Sequence, residues 1–310
     1  MIKNRLEKNL KKLKPWADKN KIEAYRLYDK DIPEFPFLVD IYKDYCVIYD
    51  KTEMIDEGKN KDIEVVNAAG EVLGFPSEKI ILKKRVRQKG VNQYEKLEAS
   101  NRRFPVLENG VSVLVNLWDY LDTGLFIDHR PMRYFFLKNS KEKKLLNLFS
   151  YTCVVSLMAA RGGAKTVSVD MSKNYLNWGK DNFELNNIDL NEHRFIEQNA
   201  LEFLETACEW PDYEHSFDMV FLDPPTFSNS KDMATDFEVE KDQRFIIEQA
   251  MKFLKPNGVL YFSTNKRKFK LDPALETEFQ IKITTEKTIP QDCFDQKIHH
   301  SFEIKEKRPT

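Results

Sequence analysis

A series of short apolar runs in the second half of the chain ends on residues able to do chemistry. KLLNLF ends in Phe149-Ser150-Tyr151-Thr152, and KTVSVD ends at Asp170, followed by Met171 and Ser172. HRFIEQ leads into Asn199-Ala200, and FDMVFLD opens Asp223-Pro224-Pro225-Thr226-Phe227. An acid about 20 residues past a first strand-to-helix turn can accept hydrogen bonds from both hydroxyls of a ribose. Taken alone, Asp170 reads equally well as the N-cap of a helix over 173–186. The first loop lacks GxGxxG and also reads as an ordinary turn. The DPPTF run is more pointed. Two prolines fix a corner and remove two backbone donors. Carbonyls and the Asp223 side chain are then left to face a crevice, with Phe227 able to stack on a flat base. A plain turn would more often use Gly or Asn.

These residues need a scaffold that gathers strand ends. The runs at 144–149, 165–170, 193–198, 217–223 and 258–264 are spaced by helix-length segments. That alternation predicts a parallel, doubly wound α/β sheet, whose ligand site lies beyond the carboxyl ends of its strands. The first part of the chain has another texture. NRLEKNLKKLKPWADKN carries Leu6, Leu10 and Leu13 at helical spacing. IEAYRLYDKDIPEF reads as a strand running into an acidic loop, and FLVDIYKDYCVIYD as a hairpin around Lys43-Asp44. A helix over 63–73 should stop at Gly74, ahead of Pro76, and EKIILKKRVRQKG reads as a strand with a basic second half. A second hairpin from Val106 to Leu117 should turn at Asn109-Gly110. The texture places a soft boundary near residue 95, between a small α+β domain over 1–95 and a larger domain over 96–310.

Taken together, FDMVFLDPPTFSNSK, NLFSYT, GGAKTVSVDMS, LDTGLFIDHR and STNKRKF resemble the C-terminal half of the bacterial bifunctional large-subunit rRNA guanine methyltransferases. That half is the guanine-N7 methyltransferase. NRLEKNLKKL, EAYRLYDKDIPEF and VRQKGVNQYEKL are similar to its leading segment, so the likeness spans nearly the whole chain. The resemblance implies a Rossmann-like class I methyltransferase sheet, preceded by the small α+β domain, and S-adenosylmethionine as cofactor. It places Phe149, Ser150, Tyr151 and Thr152, with Asp128 and Arg130 around His129, beside the methionine part of the cofactor. It places Asp170 and Met171 at the ribose, Asn199 and Ala200 near the adenine, and Asp223 at the start of the catalytic loop with Pro224, Pro225 and Phe227. Two positions depart from the family pattern. Cys153 stands where Gly is usual, a place of close backbone approach. Asn199 stands where Asp is frequent, and its amide oxygen can still accept from an adenine amino group.

The thiol inventory bears on which atom is methylated. Methylation at cytosine C5 needs a thiolate that adds to the ring, and neither DPPTF nor STNKRKF contains Cys. Guanine N7 has a lone pair and no proton to lose, so alignment and a dry crevice suffice. An exocyclic-amine methyltransferase is the nearest rival reading, because an acid before Pro-Pro and an aromatic can also accept from an amino group. A non-catalytic RNA-binding assembly factor is a second rival, kept open by Cys153.

The chain has 310 residues with 49 basic and 50 acidic side chains, so its balance does not decide for or against nucleic acid. Local patches must carry any phosphate contacts: Lys83, Lys84, Arg85, Arg87 and Lys89, and Lys266, Arg267, Lys268 and Lys270. The expected partner is ribosomal RNA, 23S or its precursor, with the possibility that a separate protein supplies an N-terminal half. The sequence has no apolar run of membrane-spanning length and opens on a polar, basic segment unlike a secretory signal. Four scattered cysteines suit a reducing cytoplasm, and no Cys/His cluster suggests a metal.

Overall fold

In a computed structural model of the chain, residues 1–52, 61–84, 100–228 and 237–307 are described, with every side chain among them except those of Cys208 and Ser228. The chain divides into two units. One comprises Met1–Ile127 with Gln291–Asp295, the other Asp128–Pro290 with Gln296–Thr310.

The first unit opens with α1 (Ile2–Lys19), which buries Ile2, Leu6, Leu13 and Ala17. Strands β1 (Ala24–Asp29), β2 (Phe37–Tyr42) and β3 (Tyr45–Asp50) form an antiparallel meander, turning at Lys43, whose φ of 56° is left-handed. Helix α2 (Asp62–Leu73) ends on Gly74 at φ 68°, the left-handed cap that glycine adopts without Cβ strain. β4 (Ile80–Lys84) then returns parallel to β3. α1 and α2 share one apolar cluster with β1–β3, centred on Leu6, Leu27, Val39, Ile48 and Val65. The hairpin of β5 (Phe104–Glu108) and β6 (Val111–Val115) turns at Asn109 and Gly110, with φ of 51° and 81°. The division between units therefore falls later than the change of sequence texture near residue 95. Glu23 holds the hairpin to this unit: its backbone N–H donates to the Leu107 carbonyl, and its carboxylate accepts from the Leu107 N–H, both at 2.8 Å. The returning segment is fixed in the same way. Asp29 accepts from the N–H groups of Phe294 and Asp295, and Asp292 accepts from that of Arg26.

The second unit contains α3 (Arg130–Asn139), β7 (Lys144–Leu148), α4 (Val154–Arg161), β8 (Lys165–Asp170), α5 (Lys173–Leu185), β9 (Arg194–Glu197) and α6 (Ala200–Thr206). It continues with β10 (Phe217–Leu222), the short pair β11 (Phe227–Ser228) and β12 (Phe237–Glu238), α7 (Val239–Met251), β13 (Leu254–Thr264), α8 (Pro273–Glu278), β14 (Phe279–Ile283), α9 (Thr285–Thr288) and β15 (His300–Glu306). The sheet has seven strands in the order β14-β15-β13-β10-β7-β8-β9. β13, β10, β7, β8 and β9 run parallel; at one edge β15 is antiparallel to β13, and β14 is antiparallel to β15. Both faces are covered. Leu146, Leu148, Val220 and Leu222 pack towards α6 and α7, whereas Leu145, Met219 and Phe221 pack towards α3 and α4. Each such side chain stabilises the fold by about 1.5–3 kcal/mol on burial, which explains why these strands read as unbroken apolar runs. From β7 the chain steps outward through β8 to β9, then returns to β10 on β7's other side. The order reverses there, so the crevice opens beyond the carboxyl ends of β7 and β10.

Candidate active site

The loop after β7 has unusual backbone. Phe149, Tyr151 and Cys153 all take left-handed φ, at 55°, 50° and 57°, although none is glycine. Each costs on the order of 1–2 kcal/mol, a strain typical of functional loops. What holds it is the next strand end. The Ser150 N–H donates to the Val169 carbonyl at 3.0 Å, and the Tyr151 N–H donates to Asp170 Oδ2 at 2.8 Å. Ser150 and Thr152 are buried, and the Tyr151 ring meets Tyr175 edge-on at 4.5 Å.

Cys153 is fully buried. Its Sγ lies near Ser150 Oγ and against Gly179 of α5, where an added Cβ would meet it at 2.6 Å. The departure from glycine is thus accommodated beneath the loop by a second glycine. Burial pushes the thiol up to about 12, against hydrogen bonds from Ser150 and Ser168, so no thiolate forms near neutral pH.

Asp170 is not a helix cap. Ser172 caps α5 by accepting from the Tyr175 N–H, while Asp170 Oδ1 accepts from Ser172 N–H at 2.9 Å. Burial raises the Asp170 carboxyl above its ordinary range, and the N–H groups of Ser172 and Tyr151 oppose that. Each oxygen keeps a lone pair, so hydroxyl donors such as those of a ribose would complete its shell. Met171 beside it is exposed, at 56%. After β9, Asn199 caps α6, its Oδ1 accepting from the Leu201 N–H at 2.9 Å, and Ala200 is buried. Any adenine contact by Asn199 would use its remaining lone pair or its amide N–H groups.

Asp223 follows β10 with a side chain 27% exposed, then Pro224 is buried and Phe227 is 49% exposed. Thr226 Oγ1 donates to Asn265 Oδ1 and joins this corner to the end of β13. Beside Asp223 lies a buried polar group that the sequence did not assemble. His129 Nε2 is 3.7 Å from Asp223 Oδ2 and 3.5 Å from Asp128 Oδ2. Asp128 Oδ2 is 3.1 Å from His299 Nδ1, and His299 Nε2 is 2.9 Å from Thr288 Oγ1. The two imidazoles are 4.7 Å apart. Burial lowers the His129 pKa, and the Asp223 and Asp128 carboxylates only partly offset it. A neutral His129 can donate to one carboxylate and steer it. Arg130, at the start of α3, is buried. The ligand atoms of Asp128, His129 and His299 lie within 4.8 Å of one another, a spacing a divalent ion could bridge, although both nitrogens of His299 already have partners. His299 stands 171 residues from Asp128, and no local motif signals that meeting.

The basic patches fare differently. Lys83 is buried, and its ammonium donates to the carbonyls of Tyr120 and Leu121 at 2.6 and 3.0 Å. Burial drags its pKa down to about 8. The expectation that Lys83 contacts phosphate is therefore wrong. Lys84 pairs with Asp62, and Arg85, Arg87 and Lys89 lie outside the described residues. Lys266 is held by Glu238 and Glu240 at 2.7 and 2.6 Å, which neutralises the charge expected to meet RNA. Arg267 and Lys268 are exposed.

A family model described as S-adenosylmethionine-dependent methyltransferase matches residues 53–309. The chain belongs to that family. This methyltransferase is 42% identical over 309 residues to ribosomal RNA large subunit methyltransferase K of Neisseria meningitidis, covering 98% of this chain and 86% of the relative. It is 43% identical to ribosomal RNA large subunit methyltransferase K/L of Legionella pneumophila strain Corby, again over 98% of this chain. It spans only 43% of the length of that longer relative. Among solved structures, a protein assigned as a methyltransferase and complexed with SAH superposes with a TM-score of 0.77 at 25% identity, covering 98% of this chain and 80% of the other. The loop after β7 and the Asp170 carboxylate fit the family's cofactor: a half-buried acid at ribose spacing retains acceptor capacity, and the Cys153 side chain is directed against Gly179. No described helix is long and apolar enough to cross a membrane.

Proposed function

We propose that this methyltransferase methylates guanine N7 in large-subunit (23S) rRNA in the cytoplasm. The observation that carries the reading is the likeness to the Neisseria methyltransferase K along nearly the whole chain. The site chemistry agrees with it. S-adenosylmethionine, when bound, supplies a methyl group made electrophilic by its sulfonium. Asp170 would accept from the ribose hydroxyls with Met171 beside it, and residues 149–152 with Asp128 and Arg130 would border the methionine end. Pro224 and Pro225 hold the corner after β10 rigid, and exposed Phe227 offers a face for an unpaired base. Guanine N7 needs no proton removed, so positioning supplies most of the acceleration. Among the described residues no reactive thiol stands at this corner, which disfavours attack on a ring carbon.

One observation favours a second reading. The Asp223 carboxylate, with His129 beside it, could equally accept hydrogen bonds from an exocyclic amine of guanine or adenine. Mass mapping of rRNA from a strain lacking the gene separates the two. The N7 reading expects one N7-methylguanosine to disappear. Loss of an N2-methylguanosine or N6-methyladenosine instead would favour the amine reading, and an unchanged 23S rRNA would refute both.

A further inference from the structure

The first unit carries an aromatic and cationic surface that lies apart from the basic run of β4. Tyr45, Phe104 and Trp118 form a half-buried trio, with ring centroids 5.1 Å apart for Tyr45 and Phe104 and 5.4 Å for Tyr45 and Trp118. Arg102, exposed, lies on it: its Cζ is 4.3 Å from the Trp118 ring centroid, and its Nη2 donates to the Tyr45 hydroxyl at 2.9 Å. Lys79 Nζ stands 5.5 Å from the Tyr45 ring.

This surface is mounted rigidly. Buried Asp119 accepts from the Ser100 N–H and hydroxyl through one oxygen, and from the Asn101 N–H and the Asn116 amide through the other. Burial pushes the Asp119 carboxyl up, but these hydrogen bonds outweigh it and hold the carboxyl below its usual range. Asn101 takes φ 51° to deliver Arg102. Exposed Lys43 and Arg103 neighbour the trio in sequence, and with Lys79 and Arg102 they make four cations against three acids nearby in sequence, Asp44, Glu78 and buried Asp119, Asp44 being paired with Lys79 at 3.7 Å. The balance favours an anion.

A guanidinium with one face on an indole still presents its other face, and N–H groups besides the one bound to the Tyr45 hydroxyl remain to donate. That combination suits an unpaired nucleotide: the base stacks on the arginine plane and the phosphate meets the cations. We propose that Arg102, mounted on Trp118 and Tyr45 and flanked by Lys79, is a stacking platform for a single-stranded segment of the RNA substrate. The inference rests on the RNA reading above, yet it is tested by binding alone.

The test titrates the full chain against a fluorescein-labelled 20-nucleotide single-stranded RNA and a 20-base-pair RNA duplex, followed by anisotropy. Arg102→Glu with Lys79→Glu should weaken single-strand binding at least tenfold and duplex binding clearly less. Arg102→Lys keeps the charge but not the plane, and should recover under half of the lost affinity on a logarithmic scale. Circular dichroism and SAH calorimetry check that each variant is folded with its cofactor site intact. Equal losses on single strand and duplex, full recovery with Arg102→Lys, or no single-strand binding by the wild type would overturn the proposal. A wild type that binds at this surface but leaves no methyl group on 23S rRNA would leave the platform standing and refute the methylation reading.

Discussion

At Asp170 a single carboxylate joins two tasks. It braces the strained loop after β7 through the Tyr151 N–H, and it keeps acceptor capacity for ribose hydroxyls. Asp170→Ala should therefore weaken S-adenosylmethionine binding by about 1–3 kcal/mol, the scale of hydrogen bonds to a charged group. Isothermal calorimetry measures it directly, and an unchanged affinity would remove Asp170 from the cofactor site. His129 is a different case. Its meaning lies in what it touches: two carboxylates from separate segments. A sequence shows the residue type but not the company it keeps.

At the scale of elements, the β7 loop and α5 are matched through one contact. Cys153 sits where Gly179 leaves room. Gly179→Ala should destabilise the protein by about 1–3 kcal/mol, as overpacking does, because the new Cβ would overlap the thiol. Adding Cys153→Gly should recover most of that loss. Urea denaturation of the two single variants and the double variant gives the coupling, and additive effects would mean the two positions do not share the space. The same scale shows what was legible beforehand. The strands buried on both faces declared themselves as apolar runs, and the turns at Gly74 and Asn109-Gly110 by residue chemistry. β14 did not: Phe279–Ile283 is an edge strand with alternating exposed residues, set directly after a short helix. The DPPTF corner was legible because two prolines in sequence have few other uses. Lys83 was misread because a lysine in a basic run looks solvated, and only the carbonyls of Tyr120 and Leu121 reveal its burial. The place of the β5–β6 hairpin depends on its long-range bonds to Glu23, which no local pattern encodes.

For the whole molecule, stability against pH carries the signature of buried histidines. His129 and His193 both have pKa values lowered from 6.5, chiefly by burial. The unfolded chain takes up protons at these sites below about pH 6.5 while the folded chain does not. Stability should thus fall as pH drops from 6.5 towards the folded pKa values, by at most about 1.4 kcal/mol per pH unit for each histidine. Urea unfolding at pH 7.5 and 5.8 reads the slope, and His129→Phe should make it shallower. A slope unchanged by that substitution would mean that His129 takes up its proton equally in the folded and unfolded chain.

The most direct measurement of the central claim is the identity of the methylated nucleoside. Purified protein is incubated with 23S rRNA and isotopically labelled S-adenosylmethionine, the RNA is digested, and the labelled product is resolved by chromatography and mass spectrometry. The expected product is labelled N7-methylguanosine, lost with Asp223→Ala more than cofactor affinity is lost, and retained in part when all four cysteines are replaced. Labelled 5-methylcytidine, or a covalent complex trapped on 5-fluorocytidine RNA, would contradict it.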